Sequence, residues 1–169
     1  MIRVRFHGRG GQGAKTASRI VGSAAFLSGF TAQDSPIYGA ERRGAPVAAY
    51  TRLAHGPILE RGLIAQPDLV VVADETLLND PLARVLDGVT EATVVFVNTM
   101  RSPEEVQAAS SVAGRLSTMD LTGLVLAKMG RVGALSAPLG AAAVRLLGLS
   151  LESLHAAVSQ ELRSLGLAA

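Results

Sequence analysis

The stretch of the chain most able to do chemistry is a glycine-rich turn that begins at His7. It reads HGRGGQGAKT and ends at Thr16, so its glycines lie among an arginine, a glutamine and a lysine. Glycines let an anion approach the main chain closely, and the N–H groups at the start of a following helix attract negative charge. These residue types predict a phosphate site. The alternative is a purely structural turn, in which the glycines serve only the packing of a helix on a strand.

Two phosphate-binding motifs compete for this turn. Gly8, Gly10 and Gly13 fit the dinucleotide-binding fingerprint. A phosphate loop would need a lysine directly after the last glycine, but an alanine precedes Lys15. The dinucleotide fingerprint also needs an acidic residue about 20 positions later for a ribose hydroxyl. The nearest candidate, Asp34, comes later than that and lies among turn-forming residues, so an independent nicotinamide-binding dehydrogenase domain stays an alternative.

Regular elements on both sides position the turn. Ile2, Val4 and Phe6 alternate with arginines, which predicts a strand, and helical spacing of small and apolar residues follows as far as Gly29. Further strands are predicted over residues 30–33, 47–53, 68–73, 93–98 and 115–120, and further helices over residues 102–114, 121–129, 134–147 and 151–165. Residues 34–36 are expected to break regular structure.

This alternation of strands and helices predicts an α/β fold. We expect a single domain over residues 1–169, with three α/β/α layers, a Rossmann-like and mostly parallel sheet, and a helical C-terminal part.

Two further polar features could contribute to a site. Residues 38–46 combine glycines, a proline, a tyrosine and charged residues without periodicity, so they form either a solvated connection or a binding loop. Asp74 follows a buried strand at its carboxyl end, where open parallel sheets bind ligands. A following helix is suggested by leucines at residues 77, 78, 82 and 86. We therefore favour Asp74 as the cap of that helix.

Composition excludes several kinds of protein. The chain has 169 residues and no cysteine, which rules out disulfides, thiolate metal sites and iron–sulfur ligation by this chain. Its three histidines are not paired with carboxylates at metal-ligand spacing. A net charge of +2 with 4% aromatic residues argues against nucleic-acid binding. No apolar run is long enough for a membrane span, and arginines interrupt any signal core, so a cytoplasmic location is expected.

Three segments together resemble a known family. Residues 8–16, 36–47 and 67–74, in this order, are similar to the gamma subunit of 2-oxoacid:ferredoxin oxidoreductases, of which the pyruvate:ferredoxin enzyme is an example. The resemblance implies a subunit of an enzyme that oxidatively decarboxylates a 2-oxoacid to an acyl-coenzyme A. It implies thiamine diphosphate in separate alpha and beta subunits, iron–sulfur clusters in partner subunits such as delta, and ferredoxin or another acceptor for the electrons.

The same resemblance suggests roles for particular residues. Coenzyme A would be positioned through a phosphate at the glycine turn, by Gly8, Arg9, Gly10, Gly11, Gln12, Gly13 and Lys15. An interface with the alpha subunit would use Tyr38, Glu41, Arg42 and Arg43. No catalytic or metal-ligating residue is implied, so the isolated chain is expected to be inactive. A scaffold subunit whose turn binds nothing is the further alternative. Residues 128–134 depart from the family, in which an asparagine-containing turn is common here.

Overall fold

The computed structural model describes residues 1–36, 44–130 and 135–164, which form a six-stranded sheet with helices on both faces. The strands are β1 (Ile2–Arg9), β2 (Thr31–Pro36), β3 (Pro46–Ala54), β4 (Leu69–Val72), β5 (Val94–Asn98) and β6 (Arg115–Met119). The helices are α1 (Ala14–Leu27), α2 (Pro103–Ala109), α3 (Leu121–Met129), α4 (Ser136–Leu146) and α5 (Leu151–Ser164), and a 3-10 helix spans Glu75–Asn79.

The strand order β2-β3-β1-β4-β5-β6 confirms the predicted α/β class. Strand β1 pairs in parallel with β4, which pairs in parallel with β5, and β5 with β6. Strand β3 is antiparallel to both β1 and β2, so it alone among these strands runs the other way. The sheet is therefore mostly parallel, with one reversed strand inserted beside β1.

Alternation along each strand separates two cores. Val4 and Phe6 face the helices α1, α3, α4 and α5, which supply most of the first apolar core. Val70 and Val72 face the opposite side, where the 3-10 helix, α2 and an irregular segment around Val85 cover the sheet. The predicted three layers are present. The layer on the second face of the sheet, however, is built largely from short helices and irregular segments.

Two predictions of regular structure were wrong at their boundaries. The helix expected beyond Leu77 is only a 3-10 helix, because Asp80 precedes Pro81 and takes the extended conformation that a residue before proline prefers. Residues 34–36 do not break the chain but continue β2, since Asp34 pairs with Thr51 and the ladder runs on to Pro36.

Helix α2 begins as predicted and ends early. Ser102 and Glu105 form a capping box, in which each side chain accepts a hydrogen bond from the other residue's main chain. The helix ends at Ala109 rather than near Gly114, because Ser110 turns extended with φ −144° and ψ 160°. Gly114 instead allows close passage into β6, since a Cβ there would lie 2.6 Å from the Thr93 carbonyl oxygen. In the part of the chain that the structure describes, no helix has the length and apolar character needed to cross a membrane.

Candidate anion site at the glycine turn

The glycine turn lies at the carboxyl end of β1, beside the end of β4. The connection after β1 leads to α1 on the first face of the sheet, and the connection after β4 leads to the 3-10 helix on the opposite face, so the carboxyl ends of this parallel pair form a switch point of the sheet. Open α/β sheets bind ligands at such a position. His7 and Gly8, which the sequence placed in the turn, belong to β1 instead, and residues 10–13 make the connection to α1.

Main-chain N–H groups of this connection are available to a ligand. Gly11 and Gly13 have φ of +96° and +89°, a region that favours glycine, and Gly13 is the N-cap of α1. The N–H groups of Gly11, Gly13 and Ala14 have no hydrogen-bond partner among the described residues, and α1 begins with neither a side-chain cap nor an acidic residue. Together with the dipole of a 14-residue helix, these donors suit an anion.

Other main-chain groups of the turn hold it to the entry of β3. The Gly10 N–H donates to the Ala45 carbonyl over 2.9 Å, and the Gly44 N–H donates to the Gly10 carbonyl over 3.3 Å. The Gln12 N–H closes the turn on the Arg9 carbonyl at 3.0 Å. These contacts shape the turn without any ligand, so its geometry is preorganised.

Arg9 is bound to acidic and polar neighbours within the chain. Its guanidinium donates to Asp74 Oδ2 at 3.2 Å and to Thr76 Oγ1 at 2.8 Å. It also donates to the Gly44 carbonyl at 3.3 Å and lies 3.9 Å from Asp80 Oδ2. The sequence suggested Arg9 as a phosphate contact, but two carboxylates already offset its charge. An anion at the turn would gain from Arg9 only if the guanidinium turned away from them.

Gln12 and Asp74 complete this polar cluster. The Gln12 amide accepts from the Arg9 N–H at 2.7 Å and donates to Asp74 Oδ2 at 3.1 Å. Asp74 also caps the 3-10 helix by accepting from the Thr76 N–H at 3.1 Å, which confirms the cap interpretation. Partial burial would raise the pKa of the Asp74 carboxyl, but hydrogen bonds from Thr76 and Gln12 and the charge of Arg9 outweigh it, and the pKa is below its usual value.

Helix α4 closes the turn from the opposite side. The Leu135 N–H donates to the Gln12 carbonyl at 3.2 Å, and a Cβ on Gly13 would lie 2.9 Å from both Cβ and N of Ser136. Sequence reasoning missed this contact, together with Asp80, since no local signal pairs residues so far apart in the chain. Lys15 lies in the first turn of α1, next to the N–H groups named above.

Asp34 does not lie near the turn. It pairs with Thr51 of β3, and Thr51 pairs with Val4, so Asp34 lies two strands from β1 and well before its carboxyl end. Its carboxylate accepts a hydrogen bond from the Ser18 hydroxyl, and burial raises its pKa. The acidic ribose ligand of a dinucleotide site is therefore not supplied by this residue.

The predicted interface residues and the possibility of a metal site remain to be placed. Tyr38, Glu41, Arg42 and Arg43 lie outside the described residues. Among residues 1–36, 44–130 and 135–164, no group of three or more histidine, aspartate or glutamate side chains is arranged to hold a metal ion.

Two basic residues of β1 face the segments that cover the second face of the sheet. Arg5 donates to the Val85 carbonyl at 2.6 Å and to the Ile64 carbonyl at 3.3 Å. His7 is 4% exposed, and burial together with the charge of Arg5 lowers its pKa to about 3. These two residues are therefore structural, although they directly precede the turn.

Comparison with known proteins identifies the family. The sequence profile of pyruvate ferredoxin/flavodoxin oxidoreductase matches residues 3–169. The chain belongs to this family. Over 161 residues it is 44% identical to the pyruvate/ketoisovalerate oxidoreductases common subunit gamma of Thermococcus kodakarensis, with 95% of this chain and 86% of that protein covered. Within the family it is therefore of the gamma-subunit type.

Solved structures of two known proteins share the fold. The crystal structure of pyruvate oxidoreductase subunit PORC from Thermotoga maritima matches with a TM-score of 0.80 at 34% identity, covering 94% of this chain and 84% of that one. A 2-oxoglutarate:ferredoxin oxidoreductase from Magnetococcus marinus matches with a TM-score of 0.66 at 14% identity, over 96% of this chain and 27% of that one. The second likeness is of fold alone.

Proposed function

We propose that this chain, as a gamma subunit, assembles with alpha, beta and delta subunits into a cytoplasmic 2-oxoacid:acceptor oxidoreductase. The complex decarboxylates a 2-oxoacid such as pyruvate to an acyl-coenzyme A and passes electrons to ferredoxin or another acceptor. Thiamine diphosphate and iron–sulfur clusters belong to the partner subunits in this proposal. This chain forms a single domain over residues 1–169, helps assembly and binds a phosphate of coenzyme A. Alone, it should not reduce a dye in the presence of a 2-oxoacid.

The observation that carries the coenzyme A part is the set of donors at the start of α1. Gly11, Gly13 and Ala14 offer N–H groups that have no partner among the described residues, at the positive end of a helix dipole. The position of Asp34 argues against the pyrophosphate of a nicotinamide dinucleotide, since no carboxylate reaches a ribose from there. The carboxylates beside the turn, Asp74 and Asp80, are engaged with Arg9 instead, which favours a phosphate of coenzyme A.

The residues of the turn would bind rather than react. The N–H groups receive phosphate oxygens, and Lys15 adds positive charge in the first turn of α1. Gln12 and Asp74 fix Arg9 and keep the turn in shape. Because the phosphate is remote from the reacting thiol, its contacts act equally in the ground state and the transition state, and their loss changes KM rather than kcat.

Lys15→Ala in the purified, assembled enzyme tests this assignment. We expect the KM for coenzyme A to rise about tenfold, with kcat and the KM for the 2-oxoacid almost unchanged. Lys128→Ala removes the other lysine of the sequence, which lies in the last turn of α3, and serves as the matched control. Gly11→Val is a poorer probe because its φ of +96° would strain any side chain.

Calorimetry on the wild-type enzyme separates coenzyme A from a dinucleotide. NADH binding that Lys15→Ala abolishes, with coenzyme A binding intact, would overturn the assignment. If the wild type and Lys15→Ala bound coenzyme A with equal affinity, the turn would not bind its phosphate. The chain would then be a scaffold subunit whose turn binds nothing.

A further inference from the structure

A groove on the first face of the sheet has no role in the proposed phosphate site. It encloses about 760 Å³ and is bordered by α3, α4 and α5, with Phe96 of β5 and Ser117 of β6 in its lining. Helices α4 and α5 pack on α1 and leave this part of the face, over β5 and β6, without a covering helix.

Helix α4 has two apolar faces, and only one of them is fully buried. Leu139 and Val144 are buried in the core, and a Cβ on Gly140 would lie 2.9 Å from Ile20 of α1, so this face packs closely on α1. On the other face, Ala137 and Ala141 touch the edge of the core but stay half-buried, and they line the groove. A helix that is apolar on both sides is normally buried on both sides.

Helix α3 repeats this mismatch between composition and burial. Its sequence LTGLVLAKM is apolar almost throughout, yet only Leu121 and Val125 are buried. Leu124 is 50% exposed, Leu126 48% and Met129 61%. Of these three, Leu124 lines the groove. An exposed apolar residue that adjoins an apolar groove extends the apolar surface available for interaction. The two helices therefore border a surface that is suited to a partner.

Charge in the groove indicates the chemistry of that partner. The lining includes Arg145 and His155 but no carboxylate. The Arg145 guanidinium has no hydrogen bond or ion pair with any residue that the structure describes, although α4 presents it beside apolar side chains. An occupant with apolar side chains and a nearby carboxylate would satisfy both features.

We propose that the groove receives an amphipathic helix from another subunit of the oxidoreductase. Apolar side chains at i, i+3 or i+4, and i+7 pack between α3 and α4, and an aspartate or glutamate beside them pairs with Arg145. This identification of the partner rests on the proposed function. The described lining of the groove contains none of residues 38–46, so the groove would be a second docking surface beside the interface proposed for that loop.

Charge reversal and blocking of the groove test the proposal in the co-expressed complex. Leu124→Glu and Arg145→Glu should each weaken assembly about tenfold or more in a competition pull-down against tagged wild-type chain. Leu151→Glu and Arg163→Glu are matched controls, since both are exposed residues outside the groove lining and should assemble like the wild type. Thermal unfolding of each isolated variant checks that it folds.

Hydrogen exchange keeps the test decisive if a variant fails to fold. Amides of α3 in the wild-type chain should become at least about tenfold more protected on assembly. Normal assembly by both groove variants, or unchanged exchange in α3, would overturn the proposal. So would a homodimer of the isolated chain that Leu124→Glu dissociates, because the occupant would then be a second copy. Failure of the wild-type chain to assemble with any oxidoreductase subunit would instead overturn the proposed function, and the proposed occupant with it.

Discussion

At the scale of single residues, Gly13 combines two requirements. Its φ of +89° favours glycine, and helix α4 leaves no room for a side chain there. Gly11 has a similar φ of +96°, but among the described residues no atom beyond its chain neighbours lies within 4 Å of the position its Cβ would take. The pair therefore separates the effect of backbone conformation from that of close packing.

We expect Gly13→Ala to destabilise the chain more than Gly11→Ala. The left-handed conformation costs each alanine about 1–2 kcal/mol, and the overlap with Ser136 adds about 1–3 kcal/mol for Gly13→Ala alone. Urea unfolding of the two variants measures the difference. Equal losses would show that α4 moves away from the turn at little cost.

His7 makes stability depend on pH. Its pKa is about 3 in the folded chain, because of burial and the nearby Arg5, against 6.5 for an ordinary histidine. Between these values the unfolded chain binds a proton that the folded chain does not. Stability therefore falls as pH is lowered through this window, by up to about 1.4 kcal/mol per pH unit from this group.

His7→Gln should reduce the loss of stability between pH 6 and about 4, since glutamine does not titrate there. The measurement is urea unfolding at a series of pH values. His155→Gln, at an exposed position on α5, is the control for replacing a histidine by glutamine. The same slope in wild type and His7→Gln would mean that His7 is protonated in the folded chain.

At the scale of elements, the sequence predicted what local signals specify. Alternation in β1, the β-branched run of β4 and the capping signal at Ser102 each gave the correct element. The sequence did not predict that β3 lies between β1 and β2, since strand order depends on contacts between distant residues. The same limit applies to the site. The glycine turn was visible in the sequence, whereas the neutralisation of Arg9 by Asp80 was not.

The capping box of α2 provides a test at this scale. Ser102 Oγ accepts from the Glu105 N–H at 3.3 Å, and Glu105 accepts from the Ser102 N–H at 2.7 Å. Ser102→Ala removes the first bond and should lower the free energy of unfolding by about 1 kcal/mol. Ser164→Ala, at the exposed end of α5, should change it by less than about 0.5 kcal/mol. If chemical denaturation gave the same loss of stability for Ser102→Ala and Ser164→Ala, the capping bond would not stabilise α2 measurably.

At the scale of the whole molecule, the loop of residues 38–46 is proposed as an interface. Its last residues meet the glycine turn, since Gly10 bonds to both Gly44 and Ala45. Docking of a partner on this loop would therefore occur beside the proposed phosphate site. Arginine and tyrosine are frequent anchors in such interfaces.

The double variant Arg42→Ala/Arg43→Ala should assemble with the alpha subunit about tenfold more weakly, because it removes two candidate anchors. A competition pull-down measures this. Arg61→Ala/Arg163→Ala removes the same charge elsewhere and should have no effect. If the double variant assembled as strongly as the wild type, these two arginines would not be anchors of the interface, and the proposal for this loop would be wrong.

The central position of β1 has a consequence for how the chain folds during its synthesis. Although β1 is first in chain order, its neighbours are β3 and β4, and α1 is covered by α4 and α5 from the last third of the described chain. Val4, Phe6 and Ile20 must therefore stay exposed on the nascent chain until the ribosome has made residues far downstream. Such delayed burial favours aggregation of incomplete chains and gives chaperones a long period in which to bind them.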